Sequence, residues 1–185
     1  MSSRAMGKLF MAVCGWKVEG EFPAVPKMVI VAAPHTSNWD FVFGVAAMFV
    51  IGAQISWIGK HTLFQWYSDG IMRWLGGVPV DRRVSRGTVA QVVDIVEARA
   101  KMIITVSPEG TREKVARWKT GFYHIASGAK IPILLTGFDY SKKLVRIGPL
   151  FHPTGNLEPD LEAIRAFYSD IQGRHPKNFQ SMERG

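Results

Sequence analysis

Six short apolar runs rich in Val and Ile alternate along this chain with segments of helical spacing, and few folds accommodate such an order. Strands are expected at Met28 to Ala32, Gln54 to Ile58, Gly77 to Val80, Met102 to Val106, Ile133 to Gly137 and Val145 to Ile147. Helices are expected between them, at Trp39 to Ile51, Leu63 to Leu75, Thr88 to Ala100, Thr120 to Ser127 and Pro159 to Gln172. Val89, Val92, Val93 and Val96 form the clearest stripe and read as core. Strand–helix alternation with strands this apolar implies a single α/β domain, its mostly parallel central sheet covered by helices on both faces. A length of 185 residues suits one such domain over 1–185, with neither repeat nor long linker, closing on a polar tail at 173–185.

Two segments bear on membranes. Phe41 to Gly59 carries no charge, but Gly52, Gln54 and Ser56 divide it into a buried helix and a short strand, short of the about 20 apolar residues a span requires. Over residues 1–16, Met6, Leu9, Phe10 and Val13 recur at i, i+3, i+4 and i+7, flanked by Arg4, Lys8 and Lys17. That pattern suits an amphipathic helix lying on a membrane surface, and equally a helix packed on the core. The chain is therefore expected to be soluble or peripheral rather than integral.

Lysine and arginine number 23 against 15 acidic residues, a net charge of +8, so an anionic partner is implied. Acidic lipid, coenzyme phosphates and an acidic carrier protein all fit. Nucleic acid is not expected, because zinc-finger spacing, RNP-type aromatic strands and a basic heptad helix are all missing from the sequence. Cys14 is the single cysteine, which excludes an internal disulfide and a cysteine metal cluster, and a reducing cytoplasm is the simplest location. No histidine or carboxylate cluster has metal-ligand spacing, so no metal is expected.

The chemistry is concentrated at strand ends. His35 follows Pro34 at the carboxyl end of the first long strand, where open α/β sheets place ligands, and Asp40 falls in the first turn of the next helix. A His-x4-Asp spacing arises by chance roughly 0.2 times in a chain of this composition, so alone it is weak. Pro108-Glu109-Gly110-Thr111-Arg112 is far rarer, a specified pentapeptide having a chance on the order of 10⁻⁴. A neutral imidazole whose far nitrogen meets a carboxylate can accept the proton of an attacking alcohol, so no nucleophilic Ser or Cys is required. Gly110 permits close backbone approach, Thr111 adds a hydroxyl and the Arg112 fork matches phosphate oxygens. Arg82, at the end of Gly77-Val-Pro-Val-Asp-Arg82, offers a second guanidinium.

The segments HTSNWD, GGVPVDR, SPEGTR and IPILL, in that order, resemble the four blocks of the glycerophospholipid acyltransferase family, which includes 1-acylglycerol-3-phosphate acyltransferases. The resemblance extends from about Trp16 to Ile147 and implies the glycerol-phosphate acyltransferase fold. It also implies acyl transfer from acyl-CoA or acyl carrier protein to a hydroxyl of a lysophospholipid-like acceptor, with no cofactor beyond that co-substrate. His35 matches the family's base and Asp40 its partner. Gly77 and Arg82 match the second block, and Glu109, Gly110, Thr111 and Arg112 the third, both associated with the acceptor. Ile131-Pro132-Ile133 matches the fourth, associated with the acyl-donor side. Pro34, Pro79 and Ser107 depart from the usual residues of their blocks and leave the acceptor open. Lys119-Thr-Gly121-Phe122 resembles a common family continuation, to be read as groove lining or the start of a buried helix. The expected location is cytoplasmic, peripheral on the inner face of the membrane. Glu109 is expected to orient an arginine or the loop backbone, since a carboxylate beside a phosphate would repel it. The alternatives are a thioesterase or lipid hydrolase using the same pair, and a non-catalytic lipid-binding protein.

Overall fold

A computed structural model describes residues 2–80 and 87–178. Strands β1 (Lys17–Glu19), β2 (Lys27–Ala33), β3 (Ile55–Lys60), β4 (Gly77–Val80), β5 (Met102–Val106), β6 (Ile133–Asp139) and β7 (Leu144–Phe151) form one sheet in the order β1-β7-β6-β2-β5-β3-β4. β2 lies at its centre, parallel to β5 with Val31 opposite Val106, and parallel to β6 with Ala33 opposite Gly137. β6 and β7 are antiparallel, and β1 joins β7 in parallel. The fold is thus a single-domain α/β fold with a seven-stranded, mostly parallel sheet.

The helices are α1 (Ser3–Cys14), α2 (Asn38–Ile51), α3 (Asp69–Trp74), α4 (Thr88–Glu97), α5 (Gly121–Gly128) and α6 (Leu157–Ala166), with single 3₁₀ turns at His61–Leu63 and Pro176–Asn178. Consecutive β2 residues Met28 and Val29 are both fully buried, as expected of a strand covered on both faces. Val29, Val31 and Ala33 enter a core with Val92 and Val96 of α4, Phe122 of α5 and Ile164 of α6. Met28 and Ile30 face the opposite side, where Phe43, Ala46 and Ala47 of α2 meet Met11 of α1. Among the described residues no helix is long and apolar enough to cross a membrane.

Some elements differ from expectation. The segment expected as one helix from Leu63 to Leu75 contains a 3₁₀ turn and the short α3. Ser68 donates its hydroxyl to Leu63 O at 2.9 Å and accepts from Gln65 N–H at 3.2 Å, local bonds that compete with the helical ladder. Strand β7 runs past Ile147 to Phe151 through Pro149; β1 pairs only with Leu144 to Arg146, so the proline occupies an unpaired edge. α1 buries Gly7 and Met11 and turns Met6, Leu9 and Val13 of its apolar stripe outward, with Phe10 partly buried. Gly7 is required there: a Cβ would lie 2.8 Å from Phe49 Cβ and 2.9 Å from Ala46 O.

Candidate active site

His35 stands two residues beyond the end of central strand β2, and the chain then turns into α2. Ser37 is the N-cap of α2; its hydroxyl accepts from Trp39 N–H at 3.2 Å, while Asp40 Oδ2 accepts from the N–H groups of Thr36 and Ser37, each at 2.8 Å. This reciprocal capping turns Asp40 back over the turn. Its Oδ2 lies 3.2 Å from His35 Nδ1, with the carboxylate fully buried and the imidazole about a third exposed. His35 Nε2 is left as the nitrogen that can take a substrate proton. Tyr140, from the β6–β7 turn, donates its hydroxyl to Asp40 Oδ1 at 2.5 Å. Burial, and then the Asp40 carboxylate, push the Tyr140 phenol far above its ordinary range, so it stays a donor.

The loop after β5 closes the other side. Glu109 is 3% exposed; Oε1 accepts from His35 N–H at 3.1 Å and Oε2 from the Ser107 hydroxyl at 2.6 Å. Burial raises its carboxyl above the ordinary value, against the lowering effect of these bonds. Glu109 therefore holds the backbone of the histidine loop. Gly110 has φ of +64°, and a Cβ there would meet the Lys119 side chain, 2.9 Å from Nζ, so Lys119 crosses directly over it. Thr111 is exposed and accepts from Glu113 N–H at 3.4 Å. Arg112 donates Nη1–H to Asn38 Oδ1 at the start of α2. Arg82 lies outside the described residues.

His35 and Asp40 border a cavity of about 630 Å³. On the α2 side its walls include Phe41, Val45, Met48 and Ile51, and it continues past Gly110 and Lys119 to Phe122. Gly121 and Phe122 thus begin a buried helix and line the cavity at once. Ile131, Pro132 and Ile133 are not brought to the pair. Ile133 opposes Val29, at the far end of β6 from the Ala33–Gly137 pair, and Ile131 and Ile133 are core residues. The other end of that strand supplies Thr136 and Phe138 to the cavity.

Sequence reasoning missed Tyr140, which no local pattern marks, and the contacts of residues 172–178. Gln172 O accepts from Tyr140 N–H at 2.8 Å, His175 N–H donates to Thr36 Oγ1 at 3.2 Å, and Asn178 Nδ2 donates to Arg112 O at 3.2 Å. The Arg174 guanidinium stacks 5.5 Å above the Trp39 ring. The start of the expected polar tail is thereby fastened across the rim of the site.

A base with a buried orienting carboxylate, beside an apolar cavity, can activate a hydroxyl next to an aliphatic chain. The fold resembles the crystal structure of the 1-acyl-sn-glycerophosphate (LPA) acyltransferase, PlsC, from Thermotoga maritima, with a TM-score of 0.63 over 89% of this chain and 74% of that one, at 20% identity. Comparison with curated protein sequences yields no significant match. The sequence model of the acyltransferase family matches residues 16–135, which span the His35–Asp40 pair, the Glu109–Arg112 loop and the strands that carry them. More than half of the chain lies within that match, and the chain belongs to the acyltransferase family.

Proposed function

We propose that the protein moves a fatty acyl group from a thioester, acyl-CoA or acyl carrier protein, to a hydroxyl of a lysophospholipid-like acceptor. 1-Acylglycerol-3-phosphate is the default acceptor, in keeping with the activity for which the Thermotoga maritima enzyme of similar fold is named. The observation that carries this reading is the His35–Asp40 pair opening onto a cavity of about 630 Å³ whose α2 wall is apolar.

In this mechanism His35 Nε2 takes the proton of the acceptor hydroxyl as its oxygen attacks the thioester carbonyl. Asp40 holds the imidazole through Nδ1 and stabilises the imidazolium. The tetrahedral intermediate collapses, the C–S bond breaks, and the departing thiolate recovers the proton from His35. General-base help of this kind is typically worth about 10²–10⁴ in rate. Neither a metal nor a further cofactor is needed for this chemistry. Arg112 and Arg82 hold the acceptor phosphate, and Lys119 adds a third cation beside Gly110. The acyl chain occupies the apolar part of the cavity. The protein works on the inner face of the membrane, held by its basic surface and by the outward stripe of α1.

The test incubates purified protein with acyl-CoA or acyl carrier protein and a panel of lysolipids, following thiol release and lipid mass together. A new diacyl lipid, formed about 10²–10⁴ times more slowly by His35→Ala, is the expected outcome. Thiol release with free fatty acid alone would instead assign a hydrolase.

A further inference from the structure

The connection between β3 and β4 exposes Leu63, Trp66, Tyr67, Ile71 and Trp74, with Trp66 at 92% and Trp74 at 75%. Scattered apolar residues on a surface need no account, but two tryptophans, a tyrosine and two aliphatics within twelve positions form a patch. The segment is held in place from within: Arg73 pairs with Asp69 at 2.9 Å, and Trp57 Nε1–H donates to Leu75 O at 2.9 Å. Its aromatic rings are thus offered outward from a fastened backbone.

The surroundings of the patch indicate what covers it. Trp57 stacks on Phe64 with centroids 6.0 Å apart, meets the exposed Phe41 edge-on at 5.7 Å, and lines the cavity together with Phe41 and Leu75. The patch therefore leads into the apolar space beside His35. On its other flank the Trp74 ring lies 6.5 Å from that of Phe49, and Phe49 packs where Gly7 of α1 meets α2. On α1 itself Met6, Leu9 and Val13 are exposed, as are Arg4 and Lys8. Tryptophan and tyrosine favour the boundary between headgroups and acyl chains, and nearby cations favour anionic lipid.

We propose that residues 63–74 seat the protein on a lipid bilayer, with the entrance at Phe41, Trp57 and Leu75 opening toward the acyl-chain layer. An acyl chain would then pass between bilayer and cavity without crossing water, where each methylene adds to the cost. That passage rests on the acyl-transfer reading above; the seating itself does not.

Flotation of the full chain with vesicles of phosphatidylcholine, with and without phosphatidylglycerol, tests it. Wild type should float with the mixed vesicles and be quenched by brominated lipid, and Trp66→Gln/Trp74→Gln should lose about tenfold or more in partition while its thermal melt is unchanged. Trp66→Gln alone, at the most exposed position, serves if the double variant melts early. The proposal is overturned if wild type does not float, if the variants float equally well, or if the patch proves to hold a dimer that the substitutions dissolve. Tryptophan-dependent flotation without acyl transfer to any lysolipid would uphold the seating and remove the acyltransferase reading.

Discussion

Asp40 serves three purposes with one carboxylate: it caps α2, faces His35 Nδ1 and accepts the Tyr140 hydroxyl. Among the described residues, Tyr140 is the donor to Asp40 that comes from outside the histidine loop, and Tyr140→Phe removes it. A hydrogen bond to a charged group is worth about 1.5–3 kcal/mol, so the variant should melt several degrees lower. Because Tyr140 positions the pair rather than the substrate, kcat should fall by about tenfold with KM little changed, which steady-state kinetics would read directly. Glu109 makes the opposite kind of prediction. Its raised carboxyl means that the folded chain binds a proton more readily than the unfolded one, so its contribution to stability fades as pH rises through the folded value. A glutamine in its place would not ionise and would still offer an oxygen to His35 N–H. Glu109→Gln should therefore gain stability relative to wild type as pH is raised from about 4 to about 8, in paired thermal melts. A constant difference across that range would show that Glu109 titrates alike in both states.

Among the elements, the α1–α2 crossing depends most on a single position. Gly7→Ala places a methyl against Phe49 Cβ and the Ala46 carbonyl, and overpacking of this kind costs about 1–3 kcal/mol. A melt lowered by about 2–4 °C per kcal/mol would confirm that the helix docks through this glycine. The strands β4 and β5 match the sequence reading residue for residue, because each is a bounded apolar run with no competing pattern. β1 escaped because Lys17 and Glu19 frame a single apolar residue, and its pairing with β7 is set by the sheet edge. The helical spacing at Leu63, Trp66, Tyr67, Ile71 and Trp74 is real, but these side chains face away from the core and hydrogen bonds around Ser68 divide the segment. At the site, His35 and Asp40 were legible because five positions of chain carry the whole relation. Tyr140 reaches Asp40 across 100 residues and His175 reaches Thr36 across 139, distances over which sequence spacing carries no signal. Glu109 stands out in its motif, and of the two expected partners, an arginine or the loop backbone, the structure shows a backbone N–H, that of His35 on the other loop, together with the neighbouring Ser107 hydroxyl.

At the scale of the molecule, the sheet order places β2 between β5 and β6, so one loop can be reached from both halves of the chain. The cavity beside it lies against α2 on one side and extends to α5 on the other. If the acyl chain lies there, affinity for non-hydrolysable acyl thioesters should rise by about 0.8 kcal/mol, near fourfold, per added methylene until the space is filled. Calorimetric titration across a chain-length series would locate that limit, and affinity independent of length would place the chain elsewhere. The Asp40 arrangement also has a consequence in heredity. The atom that orients the base also starts a core helix, so a descendant that abandoned the reaction would still be under selection to keep it. An aspartate at this position in a relative is thus a mark of the shared architecture first, and of retained chemistry only when the histidine accompanies it.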